Sequence, residues 1–504
     1  MISQDQYKAA CKGCDHILMN YASGIWTIGI TWLHVIREHP VCLERYKPLF
    51  NETKHLIAAE SLPKSLKAAL SKTLFFFRSI LKESKVVKVQ LPSSYNGKLD
   101  VLFVSHLLNQ SQIGKTNDFY FSDIAEKLQA NGIRTAFALI DHITYSKSNE
   151  YSWPENSSFR FILPSRRGFL NETVMVLSSI KEGLRLIWKS KNCSDKLLKK
   201  IFYTAGIESL KGESIFNVRI GRQIQGLVLK HRPSAVVITY EGHSWERAIF
   251  GELSYLNYPV LKIAYQHATI FRLQHAAVRP LHPRYNPDVI LTSGQRGYEK
   301  LNALSDLKNS SRLAIMGSDR YLESLEVKPF PEMENACIIM PEGEVNECMI
   351  IFNFSLQCAQ LLPEIKFIWR LHPAITFEML AAKGLEISQL PGNIYCSSET
   401  IEADLSRAKW ALYRGSGASI QATVRGLKPI YLSISEELCI DPIYELDYWK
   451  EIISSSKEFV NLIKKDQYDN NSKVLREKAI AFCITYYDKL DIKTLFDSLK
   501  ENNI

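Results

Sequence analysis

The segment Ala411-Leu412-Tyr413-Arg414-Gly415-Ser416-Gly417-Ala418-Ser419-Ile420 carries the strongest chemical pattern in the 504-residue chain. An apolar strand runs into a loop of small residues, and the loop opens a helix. Unpaired backbone N–H groups point outward at such a helix start and the macrodipole favours negative charge there, so a phosphate is the natural guest. Gly415 and Gly417 permit close backbone approach, and Ser416 and Ser419 add hydroxyl donors. A tight strand-to-helix turn with Ser419 as an ordinary N-cap is the alternative, and position alone leaves both open.

Four further strand ends, in three patterns, carry titratable groups. In Ile368-Trp369-Arg370-Leu371-His372-Pro373, Pro373 ends the strand and holds His372 extended, and alternation places Arg370 and His372 on one face. The run from Ile338 ends in Pro341-Glu342-Gly343-Glu344. There Gly343 lets backbone approach a ligand, and the acids either accept from ribose or sugar hydroxyls or stay solvated. The third pattern is a pair of strands, one ending in Tyr240-Glu241-Gly242-His243 and the next in Gln266-His267. A carboxylate at such a mouth serves as general base or nucleophile, as sugar chemistry through an oxocarbenium-like state requires. Helix capping by Glu241 and a supporting role for His267 are the plainer alternatives.

Two other chemistries lack their residues. Gly114-Lys115-Thr116 follows a strand, but Asn109 stands where a nucleoside triphosphatase loop needs its first glycine. No Asp-x-Asp triplet occurs, so no divalent-ion clamp on a diphosphate is expected.

The elements that must position these groups alternate between strand and helix. Leu99 to Leu107 and Thr135 to Ile140 read as strands around a helix from Phe119, capped by Asp118, to Ala130, which is a βαβ unit with parallel pairing. A basic helical region spans Lys181 to Lys200. The alternation then resumes with strands Ala235–Thr239, Val260–Tyr265, Asp288–Thr292 and Leu313–Met316. Asp319 to Glu334, with Pro329 and Pro331, reads as a linker. Beyond it come strands Cys337–Met340, Lys366–Leu371, a short one at Tyr395, Trp410–Tyr413 and Pro429–Leu432, then helices to the end. The expected organisation is a helical extension (1–95), an α/β Rossmann-like domain (96–325) and a second Rossmann-like domain with C-terminal helices (326–504). A ligand belongs where the carboxyl ends of the two sheets face each other.

Composition agrees with a folded globular chain, with 46% hydrophobic and 23% charged residues. A single core stops growing at about 250–300 residues, so more than one domain is required. The net charge of +9 is mild; it suits an anionic ligand or a membrane surface and not a nucleic-acid-coating stripe. Ten cysteines, several inside apolar runs, read as reduced buried thiols, and Cys11-Lys12-Gly13-Cys14 has no second pair at zinc spacing. No export signal opens the sequence, which places the protein in the cytoplasm. Ile17 to Ile36 is uncharged but diluted by polar residues, so a buried or interfacial helix is expected rather than a span. The stretches 61–85 and 181–200 have basic faces suited to peripheral membrane contact.

The order of an acid-Gly strand end, a His-Pro strand end and a serine-glycine loop resembles the GT-B glycosyltransferases. More narrowly, it is similar to bacterial transferases that use CMP-activated ulosonic acids (sialic, pseudaminic or legionaminic acid, and Kdo). Tyr240-Glu241-Gly242 matches the acidic motif with Tyr240 in place of its leading acid, His372-Pro373 matches the second motif, and Ser416 and Ser419 offer the third. The resemblance covers residues 98 to about 445. It implies CMP against the second domain, held through Glu342, Gly343, Arg370, His372, Pro373, Arg414, Gly415, Ser416, Gly417 and Ser419. It further implies catalysis by Glu241 with His267, a cation among Arg370, Arg414 and His267 for the sugar's carboxylate, and acceptor or sugar contacts from His106, Asn109, His243 and Gln266. No metal or other cofactor is implied, the CMP-sugar being a donor substrate, and the acceptor is a glycan, a lipid-linked saccharide or a protein. A UDP- or GDP-sugar transferase, a CDP-polyol phosphotransferase and a non-catalytic scaffold for surface-polysaccharide assembly are the competing readings.

Overall fold

The computed structural model describes residues 2–51, 95, 98–143, 153–154, 157–303, 307, 309–322, 329–466 and 473–500. Two parallel sheets organise them. The first comprises β1 Val101–Leu107, β2 Thr135–Asp141, β3 Phe159–Ile162, β4 Ala235–Thr239, β5 Leu261–Gln266, β6 Val289–Thr292 and β7 Arg312–Ile315, in the order β3-β2-β1-β4-β5-β6-β7. The second comprises β8 Ala336–Met340, β9 Lys366–Trp369, β10 Ile394–Cys396, β11 Trp410–Tyr413, β12 Lys428–Leu432 and β13 Glu451–Ile453, in the order β10-β9-β8-β11-β12-β13. The central strands are mainly apolar runs buried on both faces, which parallel sheets covered by helices demand. Each strand order reverses once, between β1 and β4 and between β8 and β11, and such a reversal opens a crevice at the carboxyl edge. The chain is thus two Rossmann-like α/β domains, as its alternation predicted.

Several local expectations are corrected. The helix expected from Phe119 runs only over Ile124–Ala130. The Asp118 carboxylate instead accepts from the amides of Tyr120 and Phe121 and from Ser105 Oγ, closing a turn with Ser122 at φ 49°. The basic region 181–200 belongs to two helices, Phe169–Lys191 and Lys196–Leu210. Strands β3 and β13, four and three residues long, escape the sequence pattern because they are short edge strands.

Residues 2–51 are not helical throughout. The helix Gln4–Asn20 ends before Gly24, whose φ of 137° starts a second, four-residue helix, and short 3₁₀ turns follow. Ile17, Ile28, Ile30, Leu33 and Val35 are buried against helices of the first domain, among them Leu186, Phe202 and Val218. The stretch 61–85 lies outside the described residues, and among the described ones no helix is long and apolar enough to cross a membrane. At the other end the chain crosses back. Ser318 N–H donates to the Asp488 carbonyl (2.9 Å), and the helix Ile492–Lys500 places Leu495 and Leu499 in the core of the first sheet. All ten cysteines are free.

Candidate functional site at the facing sheet edges

Both crevices carry the groups singled out above. At the first, His106 is the penultimate residue of β1, and Glu241 follows β4 by two residues. At the second, Glu342-Gly343 follows β8, and Arg414 to Gly417 follows β11.

The loop holding Glu241 is built from its neighbours. Gly242 has φ 84°, and a Cβ there would lie 2.1 Å from the Ala276 carbonyl, so only glycine fits. Glu246, in the first turn of the helix Ser244–Leu253, accepts from the amides of Glu241 (3.0 Å), Gly242 (2.7 Å) and His243 (2.9 Å). Burial raises its carboxyl to about 7 against the pull of His243 and those amides. His243 is therefore the N-cap of this helix and Glu246 its capping-box partner, and Glu241 does not cap it. The motif's Tyr240 is buried and donates to the Ala277 carbonyl (3.1 Å).

Glu241 is left between two imidazoles. Its Oε1 lies 3.6 Å from His267 Nε2 and its Oε2 3.7 Å from His243 Nε2. Burial opposes ionisation, but His243, His267 and the Arg37 charge outweigh it and hold the carboxyl at about 2. His267 falls to about 4 through burial, which the opposing pull of Glu241 does not overcome, and the Arg320 charge lowers it further. Its Nδ1 is buried without a hydrogen-bond partner. His106 joins the cluster: its Nδ1 is 2.9 Å from His142 Nε2, and its ring stands edge-on to Trp245 at 5.0 Å. Burial and the His142, His243 and His267 charges take it down to about 3. His243 is shifted the other way: burial opposes its charging, but Glu241 and Glu246 outweigh that and raise it, so an ionised carboxylate lies between a proton-retaining His243 and a neutral His267.

Opposite lies the small-residue loop. The Glu342 carboxylate rests on Gly415: a Cβ on that glycine would sit 1.7 Å from Oε1. The His372 ring packs on Gly343 in the same way, with Nδ1 2.7 Å from a Cβ there, and Nδ1 accepts from Ala374 N–H (3.2 Å). Nε2 of His372 therefore carries the proton in the neutral ring. Thr269 Oγ1 and Tyr487 Oη approach Gly417, each 3.8 Å from where its Cβ would be. Residues of both domains thus meet at Gly415 to Gly417.

Other predicted residues go elsewhere. Arg370 and His372 do not share a strand face, because β9 ends at Trp369; Arg370 turns to Asp404 (2.9 Å) and the Glu399 carbonyl. Arg414 is buried, its guanidinium bonded to Glu347 (2.7 Å) and Glu437 (2.5 Å), so it meets no sugar carboxylate. Gln266 is turned from the cleft, with Oε1 against Gly297 and Nε2 donating to the Ala268 carbonyl. The Asn109 side chain is engaged in its own turn, accepting from Ser111 Oγ (2.5 Å). Gly417, not Ser419, is the N-cap of the helix Ala418–Val424; Ser419 is fully buried and its Oγ has no partner. Ser416 is nearly buried in the loop, and Pro373 is exposed beside the half-buried His372.

An arginine and a histidine come from outside the motifs. Arg37 donates to both Glu342 oxygens (3.2 and 3.1 Å), and its guanidinium lies 4.2 Å over the Phe271 ring. His39 Nε2 is 2.8 Å from Glu342 Oε2. Their segment is laid along residues 273–276: the Ile36 carbonyl accepts from His275 and Ala276, and Glu38 accepts from Leu273 N–H (2.6 Å). Arg320, beside the Tyr487 ring at 6.0 Å, lowers both His267 and His372 by its charge. A readable signal for the first pair existed: Arg37-Glu38-His39-Pro40 repeats the Arg-x-His-Pro pattern of residues 370–373.

No family model matches the chain, and no curated protein matches it. Among solved structures it is similar to the glycosyltransferase of kitacinnamycin (10% identity, 80% of this chain and 99% of that one, TM-score 0.46). It is also similar to the Neisseria meningitidis UDP-GlcNAc 2-epimerase bound to UDP-GlcNAc (12%, 80% and 100%, 0.44). A third is the spinosyn rhamnosyltransferase complexed with thymidine diphosphate (12%, 80% and 100%, 0.44). No family assignment follows from matches of this strength.

Proposed function

We propose that the protein transfers a glycosyl group from a nucleotide-activated sugar to a hydroxyl acceptor, with a CMP-ulosonic acid as the donor class. One observation carries the reading. An ionised carboxylate between two imidazoles at one sheet's crevice faces an anion-suited loop with an imidazole at the other's. The acceptor oxygen attacks the anomeric carbon, the bond to the phosphate oxygen breaks with its electron pair going to the phosphate, and the hydroxyl proton passes to the Glu241–His267 pair. The amides of Gly415 to Gly417 and His372 Nε2 stabilise the charge that develops on the leaving phosphate. The preference for a single-phosphate donor rests on the motif order that resembles CMP-ulosonic acid transferases. For the donor's carboxylate the cleft offers Arg320 in place of Arg370 and Arg414. In a nucleotide panel CMP should raise the melting temperature while UDP and GDP do not. Equal shifts from all three would overturn the donor assignment.

Peripheral membrane contact has support from the helix Phe169–Lys191. Its solvent face shows Leu170, Val174, Leu177, Leu184 and Trp188, all more than half exposed, with Lys181 and Lys191 and no acid. Its two acids, Glu172 and Glu182, are buried against Arg219 and Arg185. Lysines on an otherwise apolar, acid-free face suit an anionic bilayer. Leu177→Glu/Leu184→Glu should cut sedimentation with phosphatidylglycerol vesicles at least tenfold. Unchanged binding, or loss of a dimer by light scattering, would overturn this contact.

A further inference from the structure

Glu342 presents a carboxylate where an anion would be expected to bind. It lies flat on the Cα of Gly415, and its oxygens meet Arg37 at 3.1 and 3.2 Å and His39 at 2.8 Å. Val41 N–H donates to His39 Nδ1 (3.2 Å), which leaves the neutral ring's proton on Nε2, the nitrogen turned to Glu342. The guanidinium is fixed by Phe271 beneath it, and His39 by its almost complete burial. Arg recognises carboxylate and phosphate through the same pair of N–H bonds, so a site built for one accepts the other. Nothing about Gly415 requires a glycine conformation, since its φ is not in the left-handed region; what a side chain there would displace is the Glu342 carboxylate.

We infer that Arg37 and His39 form a phosphate site together with the Gly415–Gly417 loop, and that the Glu342 carboxylate competes with the incoming phosphate for those partners. That the phosphate belongs to a nucleotide rests on the function proposed above; that the site takes a phosphate group does not. The residues from 36 to 39 then act as part of the ligand site, although they lie outside both Rossmann-like domains. Entry of a phosphate moves Glu342 off Gly415 and leaves Arg37 bridging the ligand to the Glu241 side of the cleft, where its charge is already felt.

The test titrates the full chain with inorganic phosphate, and separately with CMP, by calorimetry. Glu342→Gln should bind phosphate at least tenfold more tightly than wild type, and Arg37→Ala at least tenfold more weakly. In Arg37→Ala/Glu342→Gln the gain from removing the carboxylate should vanish. Glu342→Asp, which keeps the charge but shortens its reach, should give a smaller gain in the same direction and serves if the glutamine variant is unfolded. Phosphate bound no more tightly by either Glu342 variant would overturn the inference and make Glu342 a ligand contact instead. A gain for phosphate but not for CMP would leave the site standing and remove the nucleotide from it. A gain for both, with no sugar transfer by the wild type, would defeat only the transferase reading.

Discussion

Glu241 and Glu342 occupy matching places in the two domains. Each follows a central strand by two residues, each precedes a glycine, and each lies at the reversal of its sheet's strand order. Their surroundings differ. Glu241 meets imidazoles at 3.6 and 3.7 Å, beyond hydrogen-bonding distance, and keeps about a third of its side chain exposed. Glu342 is held at 2.8 to 3.2 Å by Arg37 and His39 and is 9% exposed. Loose pairing leaves oxygen lone pairs for a substrate proton, whereas a clamped carboxylate contributes only by being displaced. Position along a sheet edge therefore does not assign a role; the partners that converge on the group do.

The contrast can be broken most severely at Gly242. Gly242→Ala forces a Cβ into the Ala276 backbone at a φ of 84°, and should cost roughly 3 kcal/mol in melting experiments and abolish transfer. Next, Glu241→Gln should lower sugar transfer by about 10³-fold while the CMP-induced melting shift stays intact; surviving transfer would remove Glu241 from the chemistry. His372→Ala should weaken CMP binding by about tenfold, the loss of one hydrogen bond to a charged group, and should slow the chemical step as well. The smallest effect is on pH dependence. Glu246 has its carboxyl raised to about 7, so its stabilising protonated form is complete below the ordinary carboxylate range and is lost as pH rises through 7. Between roughly pH 5 and pH 8 the wild type should therefore lose melting temperature relative to Glu246→Gln. A parallel pair of pH profiles would show that Glu246 is ionised throughout.

Much of the architecture was legible. Ala235–Thr239 and Trp410–Tyr413 emerge with the boundaries the pattern predicts, because uninterrupted apolar runs bounded by polar turns have few other ways to be buried. Gly343 and Gly415 announced close approaches, and each has a neighbour within 2.7 Å of its missing Cβ. The arginines were not legible. Arg370 and Arg414 sit beside the right motifs yet bond Asp404 and Glu347, 34 and 67 residues away. Arg37, at the edge of a segment read as a helical extension, reaches Glu342 across 305 residues.

The order of residues along the chain determined the two parallel sheets and the glycines beneath the site, since hydrophobic period and backbone freedom are local properties. Which charges face the cleft was decided only when the chain closed on itself. A buried cation takes whichever carboxylate the tertiary packing brings within about 3 Å, and that choice leaves no trace in sequence spacing.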